Sequence, residues 1–255
     1  MGFFRSMLSS RSPISAIVLR GVSITPRMRH LVLGGPEVAA WLAADDKADG
    51  AANGVESPAA WVKLRPDGRG GRGYTIRQVD PREGTIGIDF ALHYDGPDNG
   101  TVSDWARLAR PGDRAEIKGP RDGGFHLLPD SKWIWLAADA CALPAAQAIM
   151  ESLPAGVEVH ALLVVHDRDE RQSVRSSADL HVNWEYSAAS RDYVRPAGRL
   201  LADLPEIGAP GQVWMAGESD WVKSWREFWL GERRLERGRM YAKGYWKEGE
   251  RGHRG

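Results

Sequence analysis

The sequence predicts two units of different class: an all-β half, then an α/β half built on a parallel sheet. Three observations predict this. Short extended segments separated by turn residues fill the first half, the pattern changes after Gly119-Pro120-Arg121, and strand–helix–strand alternation follows. The 255 residues suit one large domain or two of roughly 100–150 residues. The change falls near residues 125–131, giving units 1–128 and 129–255.

In the first half, Ile14–Val22 and His30–Leu33 are β-rich, Trp61–Leu64 leads into Pro66-Asp67-Gly68, and Tyr74–Val79 ends at Asp80-Pro81. Thr85–His93 alternates, with Ile86, Ile88, Phe90 and Leu92 against Gly87, Asp89, Ala91 and His93, as a half-buried strand should. Arg114–Lys118 follows the turn Pro111-Gly112-Asp113. Strands at this spacing suggest a small barrel or sandwich. One brief helix is expected from Trp105 to Ala109, capped by Ser103 or Asp104. Asp45–Ser57 is small, polar and glycine-containing, and reads as a mobile loop.

In the second half, Lys132–Ala137 reads as a buried strand. Pro144 suits the first turn of a helix that runs to Ser152 and stops at Pro154 and Gly156. Val157–Val165 is nearly all apolar, as a strand covered on both faces requires. Gln212–Ala216 is another strand, followed by a helix from about Trp221 to Leu230. Trp221, Trp225, Phe228 and Trp229 share one face of that helix. The chain has eleven tryptophans and five phenylalanines; rings this large suit stacking on a ligand, but core packing is their commoner use.

Composition excludes several classes. Lys and Arg number 34 against 34 Asp and Glu, which excludes a nucleic-acid binder that relies on its whole surface. A single cysteine, Cys141, excludes a disulfide framework and a thiolate zinc cluster, and accords with a reducing cytosol. No stretch approaches the ~20 apolar residues that span a bilayer. The N-terminus reads poorly as a signal peptide, and Gly2 with Ser6 match only a short myristoylation pattern that chance often produces. The expectation is a cytoplasmic monomer with no nucleic-acid or membrane partner. The seven histidines include no i, i+4 pair, and neither a nucleotide P-loop nor a nucleophile elbow occurs, so a metal centre, a kinase and a hydrolase are not expected.

The sharpest motif is Gly71–Arg77, GRGYTIR. In an extended chain Arg72 and Tyr74 share one side and Thr75 takes the other. A guanidinium clamps phosphate, a phenol ring stacks on a flat ring system and a hydroxyl bonds a ring nitrogen, as a flavin with its pyrophosphate demands. An ordinary strand with a surface arginine has the same residues. Gly68, Gly70 and Gly73 spell a dinucleotide fingerprint, but β-like residues follow where that fingerprint needs a helix. In the second half Asp139, Leu143 and Pro144 follow the first strand, where ligands gather in parallel sheets. Gly217 and Glu218 follow the last core strand and read equally as a turn before a helix.

RGYTIR matches the R-x-Y-T-x-R signature of the siderophore-interacting proteins, FAD-dependent ferric-siderophore reductases of the ferredoxin-reductase superfamily. The chain resembles that family in further segments, in order. Ile88–Gly123 is similar to its strand, its S-x-W-A helix start and its PGD…GPRG close. Trp135–Ala145 resembles its nicotinamide-side segment, and Val213–Gly249 its GE and K-GYW ending.

The resemblance implies a six-stranded antiparallel FAD barrel followed by a nucleotide-binding α/β lobe. It implies that Arg72 meets the pyrophosphate, that Tyr74 stacks on the isoalloxazine, and that Thr75 bonds near the redox-active nitrogen. Tyr74 and Thr75 are thus the catalytic candidates, and Arg77, His93, Ser103 and Trp105 complete the FAD site. Asp139, Leu143, Pro144, Gly217 and Glu218 would form the nicotinamide side. Ala140 and Cys141 depart from the family there, standing where Glu and Thr are usual, and Trp61 stands where histidine is common. The implied activity passes electrons from NADPH or NADH through FAD to Fe(III) in a siderophore, releasing Fe(II). Reduced ferredoxin is an alternative donor. A generic NAD(P)H:flavin or ferredoxin-type reductase and a non-catalytic siderophore-binding protein remain alternatives. From Glu232 to Gly255, eight Lys and Arg face four Glu, an excess that suits an anionic siderophore; Lys63, Lys243 and Lys247 are its candidate contacts.

Overall fold

The computed structural model describes residues 12–45, 54–66, 70–93, 101–189, 192–201, 204–205 and 209–250. The Gly2 and Ser6 pair, Gly68 and most of the expected loop at 45–57 lie outside them. The chain divides into two units at Gly123/Gly124, slightly ahead of the boundary expected from sequence.

The first unit is a closed barrel of six strands: β1 (Ile14–Thr25), β2 (Met28–Gly34), β3 (Trp61–Pro66), β4 (Arg72–Asp80), β5 (Thr85–Ala91) and β6 (Arg114–Arg121). Their order around the barrel is β1-β2-β5-β4-β3-β6, each pairing is antiparallel, and β6 returns to β1. Closure leaves the sheet without a continuous free edge. Alternate residues fill the interior, among them Val18, Leu31, Val62, Leu64, Ile88 and Ile117.

Two helices pack on the barrel. Helix α1 (Pro36–Asp45) places Val38, Trp41 and Leu42 at i, i+3 and i+4 in the core. The turn Asp80–Thr85 passes so close to it that a Cβ on Gly84 (φ +65°) would sit 2.7 Å from the Ala39 Cβ. Helix α2 (Val102–Leu108) is capped by Thr101 rather than by Ser103 or Asp104. The Thr101 hydroxyl accepts from the Asp104 N–H, and the Asp104 carboxylate accepts from the Thr101 N–H, a reciprocal box that satisfies both donors. Strand β5 is buried on both faces rather than one, because His30 and Arg77 cover its outward Gly87 and Asp89.

The second unit is a five-stranded parallel sheet: β7 (Trp133–Asp139), β8 (Glu158–Val165), β9 (Asp179–Tyr186), β10 (Gly211–Glu218) and β11 (Met240–Trp246), in the order β11-β10-β7-β8-β9. Helix α3 (Leu143–Ser152) buries Ala145, Ala146, Ile149 and Met150. Helix α4 (Ser219–Glu227), extended by a wide turn over Phe228–Glu232, brings Trp221, Trp225, Phe228 and Trp229 onto the sheet. There Trp133 stacks with Trp229 at 5.8 Å, and Trp135 meets Trp225 at 4.7 Å. Six of the tryptophans, 133, 135, 214, 221, 225 and 229, are thus buried in this unit, which fits the core reading of that residue.

Candidate functional site

The barrel unit gathers its candidate residues around β3 and β4. These strands pair with Val62 opposite Tyr74 and Trp61 opposite Thr75. Tyr74 therefore leans on the core, and Thr75 takes the other face, where it is buried. The Tyr74 ring rests on Phe90 with centroids 4.5 Å apart, and Trp105 meets the same Phe90 edge-on at 6.2 Å. One fully buried phenylalanine thus supports two half-buried rings from different elements. Arg72 opens β4 with an exposed guanidinium, whose Nη1 donates a long 3.4 Å bond to the Gly71 carbonyl.

Glycines keep this strand bare. A Cβ on Gly73 would lie 3.1 Å from the Trp61 indole, and one on Gly71 would lie 2.8 Å from the Lys63 Cε. Trp61 is held by its own Nε1–H, which donates to the Asp122 carbonyl at 2.9 Å, and the Arg121 guanidinium sits 5.1 Å from its ring centre. The structure thus brings Lys63 beside the β4 motif. A flavin dinucleotide asks for a cation, a flat ring and a hydroxyl, and Arg72, Tyr74 and Thr75 supply all three within four residues of one strand. The donor set fits that group.

The other barrel candidates have internal duties. Arg77 Nε lies 3.7 Å from Asp89 Oδ2, and His30 Nδ1 lies 2.5 Å from Asp89 Oδ1, so three titratable groups meet where sequence reading singled out one. Ser103 is not at a free helix end. Its hydroxyl accepts from the His93 N–H and donates to the Ala91 carbonyl, both at 3.1 Å, tying α2 to the chain leaving β5. The His93 side chain is exposed.

In the second unit the candidates converge on Asp139, at the carboxyl end of β7. Its Oδ1 accepts from the Cys141 N–H (2.9 Å) and the Ala142 N–H (3.2 Å). Its Oδ2 accepts from the Glu218 N–H (2.8 Å) and the Trp246 Nε1–H (2.7 Å). One carboxylate therefore joins the ends of β7, β10 and β11 to the start of α3. Burial pushes its pKa up to about 6, against the pull of those four donors. Gly217 makes the approach possible: its φ is +149°, and a Cβ there would lie 2.7 Å from the Asp139 carboxyl carbon. Glu218 is the N-cap of α4 and accepts from the Asp220 and Trp221 N–H groups. Leu143 and Pro144 are buried in the first turn of α3. Burial and the neighbouring Asp139 carboxylate push the Cys141 thiol up, so it holds its proton at neutral pH. Trp246, the fourth donor to Asp139, was not singled out by sequence reading, although the GYW ending contains it.

Among the described basic residues near the C-terminus, Arg233, Arg239 and Lys247 have partners. Lys247 Nζ lies 3.7 Å from both Asp220 and Glu250, Arg239 binds Asp130, and Arg233 donates to the Pro205 carbonyl. Lys243 is half-buried in β11.

Comparison with known proteins accords with this layout. Residues 131–249 match the family model of the siderophore-interacting proteins, and residues 48–124 match the model of the siderophore-interacting FAD-binding domain. The ferric vibriobactin reductase ViuB of Vibrio cholerae serotype O1 is 28% identical over 184 residues, which are 70% of this chain and 65% of that protein. The match thus spans just under two thirds of that relative. Among solved structures, a siderophore utilization protein from T. fusca is 29% identical, covers 95% of each chain and superposes with a TM-score of 0.74. The siderophore-interacting protein SipS from Aeromonas hydrophila is 25% identical, with 94% of this chain and 93% of that one covered and a TM-score of 0.75.

Proposed function

The chain belongs to the siderophore-interacting protein family, and we propose that it is an FAD-dependent reductase that passes electrons from NADPH or NADH to Fe(III) held in a siderophore. One nicotinamide yields two electrons, so two ferric centres are reduced to Fe(II) per donor oxidised. Bound FAD supplies the step between a two-electron donor and a one-electron acceptor. The observation that carries the reading is the β4 triplet: the exposed Arg72 guanidinium, the Tyr74 ring braced on Phe90, and the buried Thr75. The reductase activity named for ViuB supports it.

In this reading Arg72 holds the pyrophosphate, Tyr74 and Trp105 present rings to the flavin, and Thr75 donates or accepts one hydrogen bond at its polar edge. Arg77, His93 and Ser103 set the shape of the cofactor bed through Asp89 and the chain leaving β5. Asp139, Gly217 and Glu218 order the backbone at the sheet's carboxyl edge, where a nicotinamide would lie, with Leu143 and Pro144 beneath it. Lys63, Lys243 and Lys247 attract an anionic ferric siderophore by charge rather than by fixed bonds. The reaction needs no acid–base pair.

Ala140 and Cys141 favour a second donor. The thiol is a weaker hydrogen-bond partner than the threonine usual there, which loosens the hold on a nicotinamide and leaves reduced ferredoxin as the competing donor. Anaerobic flavin reduction by NADPH, NADH and a reduced ferredoxin, followed separately, decides between them. Thr75→Ala is expected to shift the flavin spectrum and slow ferric reduction; an unchanged spectrum and unchanged turnover would remove Thr75 from the site.

A further inference from the structure

The opposite end of the parallel sheet carries a feature that ferric-siderophore reduction does not use. Trp135, His160 and His181 are the third residues of β7, β8 and β9, and the register pairs them into one row across the sheet. They line a cavity of about 440 Å³ together with Leu162, Asn183 and Leu200. It lies towards the starting ends of the strands, whereas Asp139 ends β7, so it is separate from the carboxyl-edge site.

The floor is apolar, since Trp135, Leu162 and Leu200 are buried there. The two imidazoles stack at 5.0 Å with their planes 20° apart. Carboxylates reach both rings. His160 Nε2–H donates to Glu158 Oε1 at 2.8 Å; His181 Nε2 lies 3.7 Å from the same oxygen and 3.8 Å from Asp179 Oδ2. Glu158 and Asp179 are side by side at the starts of β8 and β9 and stay half-exposed or more. Further along β9 on the same face, Glu185 is buried. The cavity's lining contains no lysine, arginine, aspartate or glutamate, and Glu158 and Asp179 stand beside it at the imidazoles.

Two carboxylates against the imidazole pair, Glu158 and Asp179, with ring faces and an apolar floor, make a surface that favours a cation over an anion. The cavity is far larger than an ion, and among the described residues no three metal-ligating side chains are grouped to hold one. We propose that this groove binds an organic alkylammonium ion, its aliphatic part on Trp135, Leu162 and Leu200 and its ammonium group at the imidazole pair and the carboxylates of Glu158 and Asp179. This goes beyond the reductase reading and does not depend on it.

Isothermal titration of the full chain with hexylammonium chloride, hexanoate and hexanol tests the proposal. Hexylammonium is expected to bind saturably with one site per chain, and the anion and the alcohol at least tenfold more weakly. Glu158→Gln keeps the shape of a half-exposed side chain and removes its charge, and should weaken hexylammonium about tenfold. His181→Ala removes one ring and should weaken it as well. Equal binding of hexanoate or hexanol, an unchanged affinity in Glu158→Gln, or no saturable binding of hexylammonium would each overturn the proposal.

Discussion

The β4 motif of the barrel and the strand-end cluster of the α/β unit carry motif residues of the same family, yet they use them differently. On β4, Arg72 faces solvent, Tyr74 is half-buried against Phe90, and Thr75 is buried. At the strand ends, Asp139 accepts four N–H groups, Glu218 caps a helix, and Gly217 exists in its conformation so that Asp139 fits. In the proposed reading the first region meets a ligand with side chains. The second has its side chains committed inward and would offer a ligand its backbone. On that reading the motif residues divide into those that would touch a ligand and those that hold the site's shape.

Substitutions should separate the two kinds. The largest effect belongs to Gly217→Ala, which forces a methyl group to within 2.7 Å of the Asp139 carboxyl carbon at a φ that side chains disfavour. A loss of roughly 2–4 kcal/mol in denaturant unfolding is expected, with no direct change to the β4 residues.

Asp139 gives a pH signature. Its folded-state pKa of about 6 lies above its ordinary value of 3.8, so the folded protein holds this proton more tightly than the unfolded chain. The cost of the buried charge is fully present above about pH 6 and is relieved as pH falls through 6 towards 3.8. Wild type should therefore gain stability relative to Asp139→Asn on acidification over that window, by on the order of 1–3 kcal/mol. A difference that does not change with pH would mean that the four donors fully offset the cost of burying the carboxylate.

Arg72→Ala should behave in the opposite way. Its stability should stay within about 0.5 kcal/mol of wild type, as for an exposed side chain, while FAD affinity falls roughly tenfold or more through loss of a charge-assisted contact. Equilibrium dialysis against FAD and a parallel unfolding curve read both. The smallest effect is expected for Lys247→Ala. Its two partners are 3.7 Å away and largely exposed, so stability should change by less than about 1 kcal/mol. Any effect on ferric-siderophore reduction should vanish at high salt.

Much of this was legible in the sequence, for physical reasons that also explain the gaps. Strong alternation and turn chemistry announced the barrel strands, and the i, i+4, i+7, i+8 rings announced the buried face of α4. Helix α1 escaped because Ala-rich Pro36–Asp45 carries a weak apolar stripe, and only three of its residues reach the core. Strands β9 and β11 escaped because they are the two edges of the sheet. DLHVNWEY and MYAKGYW mix charge, glycine and rings where an inner strand would be nearly all apolar. The cap of α2 lies two or three residues before the expected ones because Thr101, Ser103 and Asp104 are all competent caps, and only the reciprocal bonding of Thr101 with Asp104 decides among them.

The candidate residues were legible as a motif, and their wiring was not. Arg72, Tyr74 and Thr75 stand together because one strand carries them. The grip of Asp139 on Trp246 joins residues 107 positions apart, and no local pattern encodes such a bond. The same holds for His30 with Asp89, which needs the β2–β5 register to bring it together.

Flavin binding at β4 underlies the proposed function. It is tested most directly by the visible spectrum of wild type and Arg72→Ala after incubation with FAD and removal of the unbound cofactor, followed by anaerobic NADPH or NADH and then a ferric siderophore. Wild type is expected to show flavin bands that a nicotinamide bleaches and the ferric siderophore restores, with markedly weaker bands in Arg72→Ala. A wild-type protein that stays colourless and takes up no added FAD would contradict it.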